Sequence, residues 1–291
     1  MMSKIPLHIR PSDCDQFGHV NNAVYVSFLQ QSFLQMLTQQ GMSPDWTRES
    51  ECFWAMPSLA IEYRQAAQFG DRLAADIWLV TPDHLQPVFG VEITREAESS
   101  DAHQAQALVR AQAVWQRIAR NTGKPVHLSK DVLATFPLHG GSAPRPFQTP
   151  ADSQEFINYF WEHQTRRTEL GPHGTVHLQT IYHWLEESVF AASAQAGWPP
   201  ERRIAAGFFV LQLRHDTEVF ALPEADESIR VTSRLIDVRR FRGTWRQEIH
   251  QLPQERLLVQ NYSTGIFVDQ SGRPSSPSPE MMNDIQFGAS A

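Results

Sequence analysis

The chain has 291 residues, of which 41% are hydrophobic, 10% aromatic and 20% charged. This length is enough for two domains with sizeable cores, and the composition excludes a disordered or fibrous protein. The formal net charge of −7 argues against a general electrostatic attraction to nucleic acid or anionic lipid, so we expect neither as a partner.

The N-terminus has no apolar run of the length found in signal peptides, and no stretch is apolar for long enough to form a membrane helix. The only cysteines, Cys14 and Cys52, form neither a disulfide framework nor a Cys-x-x-Cys motif. We therefore expect a cytoplasmic protein.

The hydrophobic periodicity changes along the first half of the chain. Ile5 to Arg10 is typical of a short strand. From Val24 to Leu37 apolar residues recur at intervals of three and four, which predicts a helix that stops near Gly41. Alternation by two then predicts strands at Leu73 to Leu79, Phe89 to Ile93 and Ala107 to Ala113.

The second half repeats this order. A helix is predicted from Leu178 to Ala192, and strands near Ile229 to Val231, Trp245 to Ile249 and Leu257 to Val268. One long helix followed by antiparallel strands predicts an α+β arrangement in which each sheet wraps round a central helix.

A weak internal repeat supports a duplicated domain. A shift of 156 residues superimposes Asp13 to Val20 on Glu169 to Val176, and beyond the polar hairpin tip at Glu98 to Gln106 the shift shortens to 149. The domains predicted from it are residues 1–136 and 153–269. A linker rich in Gly, Pro and Ser joins them at 137–152, and residues 270–291 form a tail with few apolar residues that we expect to be mobile.

The segment from Arg10 to Tyr25, RPSDCDQFGHVNNAVY, stands at the entrance to the first helix. It resembles the signature of the hotdog-fold thioesterases of the 4-hydroxybenzoyl-CoA thioesterase type. The resemblance implies two tandem hotdog domains forming a pseudo-dimer, and hydrolysis of an acyl-CoA thioester. It implies no metal or redox cofactor, since coenzyme A enters as part of the substrate, and it leaves open a larger homo-oligomer.

Thioester hydrolysis needs a group that attacks the carbonyl or activates water, and a donor for the oxyanion that develops. Asp15 followed by a helix N-terminus can supply both, because the first backbone N–H groups of a helix lack internal partners. In the resemblance Asp15 is the catalytic carboxylate, as nucleophile or general base, and the backbone N–H near Asn22 is the oxyanion donor. His19 either shapes the loop or takes part in acid–base chemistry. Gly18, Asn21 and Tyr25 are candidate substrate-binding residues.

Other readings of these acids remain open. Asp15 could simply cap the helix or a turn. Asp13 is interpreted as structural, and Cys14, between two acids, is a poor nucleophile. Glu186 and Glu187 on the second helix are rival carboxylates, although an acidic pair there is also typical of a solvated helix face.

The second copy departs from the motif. Gly171 stands at the place of Asp15 and Leu178 at the place of Asn22, while Glu169 keeps an acid at the place of Asp13 and is a candidate acid for a second site. The hypothesis is one competent site, with the second copy as scaffold and facing wall of the acyl pocket.

Two further clusters carry weaker hypotheses. His173 and His177 are four residues apart, but Pro172 and Gly174 disfavour the helix a metal site would require, so no metal is predicted. Five arginines crowd one hairpin, and of these Arg240 and Arg242 are candidates for contacting the phosphates of coenzyme A. Discouraging aggregation at strand edges is the alternative role for these cations.

Two other functions compete with hydrolysis. One is a catalytically silent acyl-CoA binding or scaffold module, since the duplication has already lost one acid. The other is a hydratase or dehydratase acting on CoA-linked substrates. The retained Asp15 and its helix-entrance motif favour hydrolysis.

Overall fold

The computed structural model describes residues 4–96, 106–138, 142, 144–145, 148–150 and 156–288. Most of the hairpin tip at Glu98 to Gln106 and much of the predicted linker lie outside these residues. The chain divides into two compact units, Met1–Pro146 with Gly171–Gly174, and Phe147–Leu170 with Thr175–Ala291. The division between Pro146 and Phe147 falls within the segment predicted as the linker.

The first unit contains a long helix and five antiparallel strands. The helix is α1 (Asn22–Gln39) and a short helix, α2 (Lys130–Ala134), follows the last strand. The sheet has the order β1-β3-β4-β5-β2. Its strands are β1 (Ile5–Leu7), β2 (Cys52–Tyr63), β3 (Leu73–Thr81), β4 (Val88–Arg95) and β5 (Gln106–Ala119).

Aromatic packing fixes α1 against this sheet. Phe33, fully buried on α1, stacks on Trp115 of β5 with ring centroids 3.8 Å apart and also meets the edges of Trp54 on β2 and Phe89 on β4. Such rings contribute large buried areas, so this cluster is a main source of stability in the first unit.

The second unit repeats the same order. Its strands are β6 (Tyr159–Gln164), β7 (Phe208–Val219), β8 (Ser228–Arg239), β9 (Arg242–Gln251) and β10 (Arg256–Asp269), in the order β6-β8-β9-β10-β7. Its helices are α3 (Leu178–Gln195), α4 (Pro200–Ala205) and α5 (Pro279–Phe287).

The register of the repeat is preserved in the structure. Helices α1 and α3, and strands β2 and β7, differ by 156 positions, and β5 and β10 by 150. Ile77 pairs with Val91 in the first unit as Ser233 pairs with Gln247 in the second. Each unit is a hotdog domain, so the predicted tandem α+β fold is confirmed.

The prediction misses strands β2 and β7. In β2 the alternation is broken where Pro57 interrupts it, and the pairing with β5 shifts register between Ala55 and Ser58. A proline cannot donate to the strand ladder, so a bulge at that point is expected, and it hides the period of two from the sequence pattern.

The expectation of a mobile C-terminal tail is wrong for residues 279–287. They form α5, whose Met281 and Ile285 are buried in a cluster with Phe156 and Trp198. The Ser278 side chain caps this helix by accepting from Met281 N, as Ser129 caps α2 by accepting from Val132 N. The sequence signal is Ser278 followed by Pro279 and Glu280, a typical helix start.

The second unit carries a buried polar network between α3 and its sheet. Tyr182 on α3 bonds to Thr217 Oγ1, which donates to Asn261 Oδ1 at 2.8 Å, and Asn261 Nδ2 donates to Gln247 Oε1 at 2.8 Å. Apolar side chains occupy the corresponding positions of the first unit: Val26, Ile61, Ala111 and Val91. The two helix–sheet interiors therefore differ in chemistry although their backbones follow one plan.

Candidate active site at the start of α1

The Asp15 side chain organises a tight turn before α1. Its Oδ1 accepts from the backbone N–H of Phe17 at 2.8 Å and of His19 at 3.1 Å. The turn closes where Gly18 N donates to Asp15 O and Asp15 N donates to His19 O. No described residue donates to the second oxygen, Oδ2, and the side chain is half-buried, so one carboxylate oxygen is fixed while the other remains available to a ligand.

Gly18 is required by the backbone of this turn. Its φ of +80° lies in the left-handed region that side chains with a Cβ rarely adopt. Nothing lies within 4 Å of the position a Cβ would take, so the constraint is conformational and not steric. The predicted substrate-binding role of Gly18 thus gains a structural reason for the glycine, but no contact that tests it.

Asp13 is structural, as interpreted from the sequence. It is 2% exposed, and Arg10 grips its carboxylate through the backbone N, Nε and Nη2, with Nη2 at 2.9 Å from Oδ1. This pairing raises the pKa of the Arg10 guanidinium above its ordinary value. The backbone carbonyl of Asp13 also accepts from Asn21 N, which joins the two ends of the loop.

The N-terminus of α1 presents one backbone donor without a described acceptor. Asn21 is the cap, and its Oδ1 accepts from Ala23 N at 2.8 Å. Val24 N donates to Asn21 O, while Val20 N and Asn21 N donate to Ala67 O and Asp13 O. The N–H of Asn22 is thereby singled out within this stretch, at the positive end of the helix dipole.

Tyr25 is placed in the interior, and its prediction as a substrate contact is corrected. The side chain is 1% exposed, and its hydroxyl accepts from Ala67 N at 2.9 Å. Burial raises the pKa of Tyr25 to about 12, with the bond from Ala67 N–H acting in the opposite direction. Tyr25 fastens the segment after β2 to the helix because a buried hydroxyl needs a polar partner.

His19 contributes through its backbone. Its N–H and carbonyl both bond to Asp15, and it forms a bridge with Gln68. The ring is half-buried and has no described hydrogen-bond partner, so the geometry leaves open the two roles considered for it.

The segment after β2 is a part of the site that the sequence motif does not reveal. Ala67 and Gln68 pair with Val20 and His19, about fifty residues earlier in the chain. Phe69 and Gly70 form the tip of the turn that follows. The Gly70-Asp71 pair signals a turn, but no local pattern indicates that this turn meets the motif.

The second unit keeps the turn and lacks its carboxylate. Gly174 N donates to Gly171 O, as Gly18 N does to Asp15 O, and His177 at the cap of α3 makes no side-chain cap bond. Glu169 accepts from Arg166 N at 2.7 Å and bonds His163 Nε2 at 3.1 Å.

Glu169 is therefore held as Asp13 is held in the first unit. Burial raises the pKa of Glu169, but the hydrogen bonds from Arg166, His163 and Trp184 outweigh it and leave the pKa below the ordinary value. Of the rival acids on α3, Glu187 is exposed and Glu186 half-buried. These contacts give Glu169 the position of the structural acid, and its role in a second site stays untested.

The predicted phosphate contacts lie on the β8–β9 hairpin of the second unit. Arg240 sits at its tip with a φ of +55° and packs over Phe241, and Arg242 begins β9. Two neighbouring arginines are paired, Arg239 with Asp237 and Arg246 with Glu248. Their contact with a phosphate stays a prediction.

In the part of the chain that the structure describes, no three His, Cys, Asp or Glu side chains are grouped so as to hold a metal ion. Among the described helices none has the length and apolarity to cross a bilayer.

The fold and this site define a tandem hotdog protein of thioesterase-like type. Residues 9–136, which contain the whole motif and the first sheet, match the model of the thioesterase-like superfamily, so the first domain belongs to that superfamily. A search of curated protein sequences finds no match.

Solved structures resemble the chain over most of its length. One is described as an oleoyl thioesterase of Lactobacillus plantarum, with a TM-score of 0.70 and 11% identity. Another is an acyl-ACP thioesterase of Bacteroides thetaiotaomicron, with a TM-score of 0.69 and 14% identity. A third is the 12:0-ACP thioesterase of Umbellularia californica, with a TM-score of 0.65 and 10% identity. Each likeness covers 92% of this chain and 98% of the other, and at these identities it shows the shared fold alone.

Proposed function

We propose that the protein hydrolyses acyl thioesters, with acyl-CoA as substrate, at a single site at the start of α1. One observation carries the proposal. Within one loop, a carboxylate with one fixed oxygen and one oxygen without a described donor precedes a helix whose Asn22 N–H has no described acceptor. This is the pair of groups that acyl transfer to water requires. The thioesterase-like match spans the same residues.

Asp15 can act in two ways. As a general base it accepts a proton from water while the water oxygen attacks the carbonyl carbon, and the carbonyl oxygen becomes an oxyanion that accepts from Asn22 N–H. The carbon–sulphur bond then breaks, and the proton passes to the leaving thiolate. As a nucleophile Asp15 itself attacks, expels the thiolate and forms an anhydride that water cleaves.

The fixed oxygen matters for either route. Two backbone N–H groups hold Oδ1, and this favours the ionised carboxylate and limits its rotation. The reactive electron pair is therefore presented by Oδ2 in a constant direction, without the entropy loss of orienting a free side chain.

The second unit supports a single-site protein. It has Gly171 where Asp15 stands, and its helix–sheet interior is filled by a hydrogen-bonded polar network in place of the apolar side chains of the first unit. An acyl chain entering there would have to displace buried polar pairs, which is costly. The second domain is a scaffold under this proposal.

The test is release of free thiol from a panel of acyl-CoA chain lengths, aryl-CoA esters and the matching acyl-carrier-protein thioesters. Turnover of acyl-CoA that is lost in Asp15→Asn and kept in Glu169→Gln supports the proposal. Turnover confined to acyl-carrier-protein substrates corrects the carrier. Measurable acyl-CoA binding with no turnover on any substrate contradicts hydrolysis and favours the silent binding module.

Isotope labelling separates the two mechanisms. With excess enzyme, a single turnover in H2¹⁸O places the label in the Asp15 carboxylate if Asp15 is the nucleophile, because water then attacks the anhydride at the side chain or acyl carbon. General-base catalysis places it only in the released acid. Peptide mass spectrometry of the Asp15 segment reads the difference.

A further inference from the structure

Two large aromatic side chains project into solvent beside the candidate site. Phe17 is 58% exposed and Phe69 is 63% exposed. Phe17 lies in the Asp15 turn, and its own N–H donates to Asp15 Oδ1. We call Phe17 and Phe69 the aromatic rim. Exposed apolar side chains grouped at a functional site are typical of a surface that a ligand covers.

The backbone brings the two rings to the same edge of the site. His19 and Gln68 form an antiparallel bridge, and Val20 N donates to Ala67 O at 2.8 Å. In that pairing Phe69 lies opposite Gly18, next to Phe17. The rim therefore joins two loops that are far apart in the sequence.

These loops are held by bonds that do not involve the rings. Gln68 N donates to Asp71 Oδ2, Asp71 N donates to Gln68 O, and Arg95 Nη2 donates to Ala66 O. The Tyr25 hydroxyl accepts from Ala67 N. Because the rings contribute nothing to this scaffold, a packing role does not account for their size.

The internal repeat supplies a comparison within the same chain. The bridge between His19 and Gln68 recurs as the bridge between Thr175 and Glu224 in the second copy, which fixes the correspondence. At the rim positions the second copy has His173 and Ala225. The copy that lacks the Asp15 carboxylate thus also lacks both phenylalanines.

We propose that the aromatic rim binds the pantetheine arm that links the thioester sulphur to its carrier. The inference rests on the proposed function. With the thioester at Asp15, a bulky and charged carrier must stay in water, so the arm has to cross the edge of the site. The arm carries a dimethyl group and two amides, and flat rings can cover its apolar part without a deep pocket. Coenzyme A and acyl-carrier protein share this arm, and the test separates them.

The variants restore the second copy's residues: Phe17→His, Phe69→Ala and the double variant. Each is assayed with acyl-CoA, with acyl-carrier-protein thioester and with the short thioester of N-acetylcysteamine, which lacks the dimethyl group and the phosphate. Leu85→Ala, an exposed apolar residue on the β3–β4 hairpin of the same unit, is the matched control.

In the double variant we expect KM for acyl-CoA to rise about tenfold with kcat within about twofold, the ratio for about 1.4 kcal/mol of lost contact. KM for the N-acetylcysteamine thioester and all parameters of Leu85→Ala stay unchanged. A similar rise with acyl-carrier-protein thioester is expected wherever that carrier is accepted. Calorimetry with a non-hydrolysable S-alkyl-CoA thioether should show the same loss of affinity without depending on turnover.

Several results would overturn the proposal. An equal KM rise with the short thioester would move the effect to the acyl group or the loop. A rise only with acyl-carrier protein would indicate contact with the carrier protein's surface. A fall in oligomeric mass by light scattering would show the rim to be an interface between copies. Wild-type turnover with unchanged KM in the variants overturns the rim alone, whereas thioether binding without wild-type turnover overturns the proposed hydrolysis.

Discussion

Replacing Asp15 by Asn separates the chemical role of this side chain from its structural one. The amide oxygen of Asn can still accept from Phe17 N and His19 N, the two bonds that Asp15 Oδ1 makes at 2.8 and 3.1 Å. The turn should therefore form. The variant lacks the carboxylate that attacks or takes a proton, so we expect kcat to fall by about 10²- to 10⁴-fold.

The cost in stability should be small. A hydrogen bond to a charged group exceeds a neutral one by about 1 kcal/mol, and two such bonds on a half-exposed side chain, reduced by solvent screening, give about 1 kcal/mol in all. For a chain of this size that lowers the melting temperature by about 2–4 °C. Steady-state thiol release and differential scanning calorimetry measure the two effects separately.

Asp83→Asn is a closely matched control. Asp83 Oδ1 also accepts two backbone N–H groups, from Leu85 at 2.8 Å and Gln86 at 2.7 Å, in an exposed loop of the same unit. These bonds lower the pKa of the Asp83 carboxyl. Its replacement should leave kcat unchanged. A folded Asp15→Asn protein that keeps more than about a tenth of wild-type kcat/KM would refute the assignment of Asp15.

Three other predictions follow from contacts around the two helices. Asn21→Ala removes the cap bond to Ala23 N and should cost about 1 kcal/mol of unfolding free energy in urea titrations, whereas Asn21→Ser should restore most of it. His19→Ala keeps the backbone bonds to Asp15, so we expect kcat to fall less than about tenfold. A loss of 10²-fold or more in the pH–rate profile would instead assign the ring to proton transfer.

The third concerns pH. Burial lowers the pKa of His215 to about 4 in the folded second unit, while its ordinary value is 6.5. The unfolded chain therefore binds a proton that the folded chain refuses as pH falls from about 6.5 to about 4, and stability drops by about 3 kcal/mol over that window. His215→Gln should make urea unfolding less dependent on pH there. An identical pH dependence in both proteins would show that His215 is protonated when folded.

Local patterns in the sequence determine much of this protein. The spacing of apolar residues places α1 and α3, the shift of 156 gives the duplication, and the motif gives the cap at Asn21 and the left-handed turn at Gly18. These features depend on neighbours within a few residues, where periodicity and capping chemistry act.

Other features come from contacts between distant residues, which only the tertiary structure decides. The bulge at Pro57 conceals β2, and α5 is ordered because Met281 and Ile285 find Phe156 and Trp198. Burial of Tyr25 against Ala67 removes it from the list of substrate contacts.

The same holds for the aromatic rim. Phe17 and Phe69 are fifty-two residues apart and share an edge because a backbone bridge joins their loops. Which strand pairs with which loop depends on how the whole sheet closes over its helix, and the sum of many weak long-range contacts leaves no mark at any single position of the sequence.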